Sequence, residues 1–117
     1  MSLYDTNLDK NAANYVPLTP LTFIKRAKEI YPNYEALIYE DRKYSWTDVY
    51  KRTVKFASAL NKIGVGKGDT VSFLAFNTPE IFEGHYSVPM TGAVLNTINI
   101  RLDAKTIDYI LDHSEAK

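Results

Sequence analysis

The chain has 117 residues, enough for about one domain, with 45% hydrophobic and 24% charged residues. Fourteen basic residues balance fourteen acidic ones, which excludes the clustered positive excess of a nucleic-acid binder. There is no cysteine, which excludes disulfides, thiolate metal sites and a cysteine nucleophile. No apolar run approaches the roughly 18 residues of a membrane span; the longest, VSFLAF, covers Val71 to Phe76. The N-terminus lacks the basic-then-apolar order of a secretory signal, so a cytoplasmic location is expected.

Residues 1–18 show no periodicity and are expected to form a surface arm. A helix is predicted near 20–31: Thr19 is placed to cap it, Pro20 suits its first position, and Phe23, Ile24, Ala27 and Ile30 share a face. Pro32 forbids its continuation. EALIYEDRKYSW reads as a short β-hairpin turning at Glu40, Asp41 and Arg42. Ser45 and Asp48 then have capping-box spacing for a long helix. Its apolar face is Val49, Thr53, Phe56, Ala57, Leu60 and Ile63, its wet face Lys51, Arg52, Lys55 and Lys62, and Gly64 its stop.

A glycine-rich turn feeds a strand at about 70–76. Thr78 and Pro79 open the next helix, Glu80 complements its positive end, and Pro89 is expected to kink or end it. AVLNTI is the next strand. Asp103 caps a last helix, expected to bury Ile107, Ile110 and Leu111. The order from Thr70 is β-α-β-α, which implies parallel strands joined by right-handed crossovers. A parallel sheet needs more than two strands, yet no strand is readable after the last helix. Two readings stay open on pattern alone: a larger α/β domain cut short, or a small complete one.

GVGKGDT, from Gly64 to Thr70, is glycine-rich but follows a helix and opens a strand, the reverse of a phosphate-binding loop, and so reads as a turn. His113 in a last helical turn complements the negative helix end, whereas His85 is either a core histidine or part of a pocket wall. Two histidines so far apart do not suggest a metal site. The carboxylate pairs Asp5 and Asp9, Glu80 and Glu83, and Asp108 and Asp112 read as solvated faces. Asn96, Asn99 and Arg101 sit just beyond a parallel strand, where open α/β sheets place ligands. Arg101 is suited either to hold an anion in bidentate fashion or to pin the loop against an acidic neighbour.

Three stretches, in order, carry a resemblance. YSWTDVY is similar to an early T/S-Y/W-x-E/D-L segment, GVGKGDTVSFLAFNTPE to a G-V-x-x-G-D-x-V strand entry, and GAVLNTINIRLDAKTIDYILDHSEAK to a G-A-V-x-x-x-x-N-x-R-L segment. Together they resemble the N-terminal part of the adenylate-forming, AMP-binding superfamily, which contains acyl-CoA synthetases, peptide-synthetase adenylation domains and luciferases. The wording is most similar to acyl-CoA ligases of fatty, aromatic or short thio-substituted acids.

The resemblance implies an α/β fold: the N-terminal part of the large domain, βαβα with parallel strands, preceded by a helix and a short hairpin. Residues 19–117 would be an incomplete α/β subdomain. It implies a parent that joins a carboxylate to ATP, giving an acyl-adenylate, and then transfers the acyl group to CoA. ATP, Mg²⁺ and CoA would serve that parent, and none is assigned to this chain. The family's Ser/Thr/Gly-rich phosphate loop, its adenine and ribose segments and its catalytic lysine have no match in these 117 residues. No catalytic residue is therefore assigned, and the chain is expected to be an inactive N-terminal fragment of a ligase. His85 and Tyr86 are nominated for a substrate-pocket wall and Arg101 for an anion contact. Unpaired strand edges predict self-association. The alternatives are a stand-alone α/β interaction module and the head of a peptide-synthetase adenylation domain.

Overall fold

The computed structural model describes residues 6–117. Asp5, expected on a solvated face with Asp9, lies outside the described residues.

The first helix, α1 (Pro20–Ile30), begins as its capping residues dictate: Thr19 accepts a hydrogen bond from the Thr22 amide. Its apolar face is less buried than its spacing suggests. Ile24 is fully enclosed, whereas Phe23 is 57% and Ile30 51% exposed. Strands β1 (Glu35–Tyr39) and β2 (Arg42–Ser45) pair antiparallel, with an irregularity between Glu35 and Leu37. Glu40 takes the left-handed conformation of the two-residue turn (φ 51°).

Helix α2 (Trp46–Lys62) opens on a complete capping box between Ser45 and Asp48. It closes on a Schellman turn: Gly64, at φ 87°, donates to the Asn61 carbonyl and Val65 donates to the Leu60 carbonyl. The turn folds Val65 back beside Leu60 in the core. Ile63, expected on the buried face, is instead the cap residue and is 77% exposed.

Strand β3 (Thr70–Leu74) and strand β4 (Val94–Ile98) run parallel, in register from Thr70 opposite Val94 to Leu74 opposite Ile98. Helix α3 (Pro79–Met90) joins them and ends one residue beyond Pro89. Helix α4 (Ala104–His113) follows, its first turn capped by Asp103 and His113 in its last turn stacked on Tyr109. The GVGKGDT stretch is a turn, closed by Asp69 accepting from the Gly66 amide at 2.8 Å.

On one face of the β3–β4 pair, α2 and α3 build the core from Leu60, Val65, Val71, Val88 and Ala93, with Phe56, Phe73 and Leu95 packed against it. The α3 backbone comes so close that a Cβ on Gly84 would lie 2.9 Å from the tip of the Phe73 ring. The opposite face carries a polar tie: Asn96 donates to Ser72 at 2.9 Å and to Ser114 at 3.3 Å. Asn96 therefore lies within β4 and fastens α4, rather than beyond the strand as expected. Nor does α4 bury its stripe: Ile107 and Ile110 are half-buried and Leu111 is exposed.

The chain does not finish on that helix. A second Schellman turn at Glu115 (φ 50°) returns it to the sheet, where Ala116 bridges Thr70 in parallel and Lys117 donates to the Thr70 carbonyl. This single bridge is too short to show any periodicity in the sequence. The molecule is thus a mixed α/β unit with helices on both faces of a parallel pair.

Candidate functional site

Open parallel sheets offer ligands the crevice outside the carboxyl ends of their strands. In this protein that space holds two adjoining grooves, which share Asn77 and Ile81. The first, of about 510 Å³, lies past β3 and β4 and is lined by Phe76, Asn77, Thr97, Asn99, Ile100 and Arg101 among others. The second, of about 450 Å³, lies between the hairpin and α3 and presents Ile38, Tyr39, Phe82, His85 and Tyr86. Both volumes fall within the range of small-molecule sites.

Arg101 takes its place from the loop after β4. Asn99 accepts the Arg101 amide at 2.9 Å, so the asparagine side chain fixes the turn. The guanidinium itself makes no ion pair among the described residues, and no carboxylate lines its groove. Of the two roles open to Arg101 in sequence, pinning the loop through an acidic neighbour is therefore not the one adopted.

His85 is surface-accessible, not a core histidine. Its Nδ1 lies 2.7 Å from the Ile81 carbonyl oxygen. A carbonyl only accepts, so the proton sits on Nδ1, and in the neutral ring Nε2 keeps a free lone pair. Tyr86 is held edge-on against Phe82, with centroids 5.5 Å apart. The structure thus brings His85 and Tyr86 into one groove and places Arg101 in the neighbouring one.

The hairpin wall of the second groove is tied down by charges the sequence reading left in solvent. Glu83 is 4% exposed, and Arg52 grips it with both Nε and a terminal nitrogen. Arg42 of the hairpin reaches Glu80 at 3.1 Å, and Arg52 lies 3.8 Å from the same carboxylate. The Arg52 guanidinium also covers the Tyr44 ring at 5.0 Å. Hydrogen bonds from the Thr78 side chain and from its own backbone, and then the Arg42 guanidinium, hold the Glu80 carboxyl below the usual range. Glu83 and Arg52 are 31 residues apart, so only their helical faces could have hinted at the pairing. Among the described residues no three His, Asp or Glu side chains gather as metal ligands, and no helix is long and apolar enough to cross a membrane.

The model of the family described as AMP-binding enzyme matches residues 24–117. A peroxisomal butyrate–CoA ligase of Arabidopsis thaliana is 52% identical over 111 residues, covering 95% of this chain and 19% of its own length. A peroxisomal trans-cinnamate:CoA ligase of Petunia hybrida is 53% identical over 110 residues, covering 94% of this chain and 19% of its own length. Among solved structures, the anthranilate CoA ligase AuaEII, in complex with anthranoyl-AMP, superposes with a TM-score of 0.79 at 25% identity, over 82% of this chain and 19% of that one. The N-terminal subdomain of NpsA from Klebsiella oxytoca superposes at 0.77 and 21% identity, over 84% of this chain and 26% of that one, a likeness of fold.

Proposed function

This chain belongs to the AMP-binding enzyme family, and on that footing we propose that it serves the ATP-dependent joining of a carboxylic acid to CoA. The observation that carries the reading is about 50% identity, along nearly the whole chain, to relatives that are CoA ligases. It favours a ligase over a stand-alone interaction module, and CoA over a carrier-protein thiol as acceptor. Activation would pass through an acyl-adenylate and release pyrophosphate, with Mg²⁺ offsetting the triphosphate charge.

Within that reaction the chain supplies scaffold and one end of a site. It spans 19% of the length of each of these relatives, and by itself it is inactive in this reading. His85 and Tyr86 form a substrate-pocket wall, and Arg101 is an anion contact. The cysteine-free composition suits a reducing compartment. The cytosol is the expected location, the two plant relatives are peroxisomal, and organelle fractionation separates the two possibilities.

The test is a chimera in which this chain replaces the matching 19% of the Arabidopsis butyrate–CoA ligase. Given butyrate, ATP and either CoA or a phosphopantetheinyl carrier protein, it is expected to form the CoA thioester. A folded chimera that acylates only the carrier protein, or neither, overturns the reading. The chain alone is expected to self-associate, because β3 beyond Thr70 has an unpaired edge among the described residues. Light scattering that gives a 13.3 kDa monomer at high concentration contradicts this.

A further inference from the structure

The chain is neutral overall, with fourteen basic and fourteen acidic residues, but its two outer helices divide the charge unevenly. Along α2, Lys51, Val54 and Lys55 stand at i, i+3 and i+4, all exposed, on the side turned away from the buried Val49, Thr53, Ala57 and Leu60. Beyond Asp48 in its first turn, α2 carries no acidic residue. Along α4, Asp108, Leu111 and Asp112 repeat the same spacing with the opposite sign, and they too are exposed. Val54 is 41% and Leu111 38% exposed, so each face sets an apolar side chain beside two like charges one turn apart. Like charges at that spacing repel along a helix. Among the described residues none of the four charged groups enters an ion pair. Asp48 does not relieve the lysines, because its carboxylate is held by the Ser45 hydroxyl and amide, and Lys51 has the smallest of the effects on it.

We propose that the lysine face of α2 docks the aspartate face of α4 on a second copy of this chain. A second copy is the occupant because it carries the sign, the spacing and the exposed apolar residue that the lysine face calls for. One helical turn, about 6 Å of rise, separates the charges on each face, so both lysines find a carboxylate in the same encounter. The two faces lie on opposite sides of the β3–β4 pair, so one molecule cannot satisfy both of its own. The contact is therefore head to tail, each copy giving one face and receiving the other. The proposal does not rest on the ligase reading. It also differs from pairing at the β3 edge, whose backbone hydrogen bonds do not depend on these four side chains.

Sedimentation of the whole chain at low and high salt tests the assignment, with charge reversals on each face. One variant combines Lys51→Glu with Lys55→Glu, the other Asp108→Lys with Asp112→Lys. A control combines Lys25→Glu with Lys67→Glu, two exposed lysines outside both faces. All the substituted residues are exposed, and circular dichroism reports whether each variant keeps its helices. The wild type is expected to associate about tenfold more weakly at about 1 M salt, where charges are screened beyond about 3 Å, than at about 0.05 M. Each face variant alone carries one sign on both faces and is expected to lose that salt-sensitive association. Mixed in equal amounts, the two are expected to recover it, because the reversed faces then match each other and so do the retained ones. The control is expected to associate as the wild type does. Association that ignores salt and persists in both face variants leaves the β3 edge as its whole cause and overturns the proposal. So does a mixture that stays apart, or a control that loses association as the face variants do. A chain that is monomeric at low salt but sediments with phosphatidylserine vesicles gives the lysine face to a lipid surface and equally overturns it.

Discussion

On one face of the β3–β4 pair, α2 and α3 bury Leu60, Val88 and Ala93 against Val71; on the other, α4 meets the strands through Asn96, Ser72 and Ser114 and buries none of its residues fully. Both α2 and α4 carry a regular apolar stripe and a side-chain N-cap. The difference lies in what each stripe meets. Thr53, Ala57 and Leu60 are buried on a helix that packs against α3, whose Gly84 lets that helix approach the sheet closely, whereas Ile107 and Ile110 on α4 stay half-buried. Amphipathic spacing announces a face, and it takes a neighbour to bury it.

The largest expected effect sets the two faces against each other. Leu60→Ala should cost about 2–5 kcal/mol, the range for truncating a buried leucine, whereas Ile110→Ala should cost about 1 kcal/mol or less. Urea denaturation reads both as shifts in midpoint, and equal shifts would erase the contrast. Next in size is Arg52→Ala, which strands the buried Glu83 carboxylate. The loss should be roughly 2–4 kcal/mol, below that of a fully buried pair because Arg52 is itself 39% exposed. The double variant Arg52→Ala with Glu83→Gln should recover part of it, and strict additivity in the same titrations would show the pair uncoupled.

Acid should separate the faces more gently. Asp103 is held below the ordinary carboxylate range by the Thr106 side chain and amide, and Asp69 by Lys117 and the Gly66 amide. A carboxyl with a depressed folded pKa adds stability that is present above its unfolded value, near pH 4, and is lost as pH falls through the folded value. Asp48 carries the same sign at the start of α2, through Ser45. Protonation therefore weakens both helix starts, but only α2 has a buried face to keep it in place. Amide exchange at about pH 3, corrected for intrinsic rates, should show α4 losing protection while Val49 to Leu60 retain it. A uniform loss along the chain would remove the distinction.

The parts legible in the sequence are those written in local chemistry. Thr19, Ser45 and Asp103 cap helices where their spacing says, Gly64 ends α2, and the β-α-β-α order yields the parallel pair. What escaped depends on residues distant in sequence. Glu83 reads as solvated until Arg52, 31 positions away, is brought alongside it, and nothing local to Asn96 announces that its amide is spent on Ser72 and Ser114. Of the site, Arg101 was visible as a cation after a strand, and His85 and Tyr86 as ring-bearing neighbours. The exposure of Phe76 was not visible, because VSFLAF reads as one buried run until β3 ends at Leu74.

The most direct test of this account is acid-dependent exchange of labelled pyrophosphate into ATP, run on the 117-residue chain and on the chimera that carries it in place of the matching 19% of the butyrate–CoA ligase. The account predicts silence from the chain and exchange from the chimera when butyrate is present. Exchange by the chain alone, or silence from a folded chimera, would contradict it.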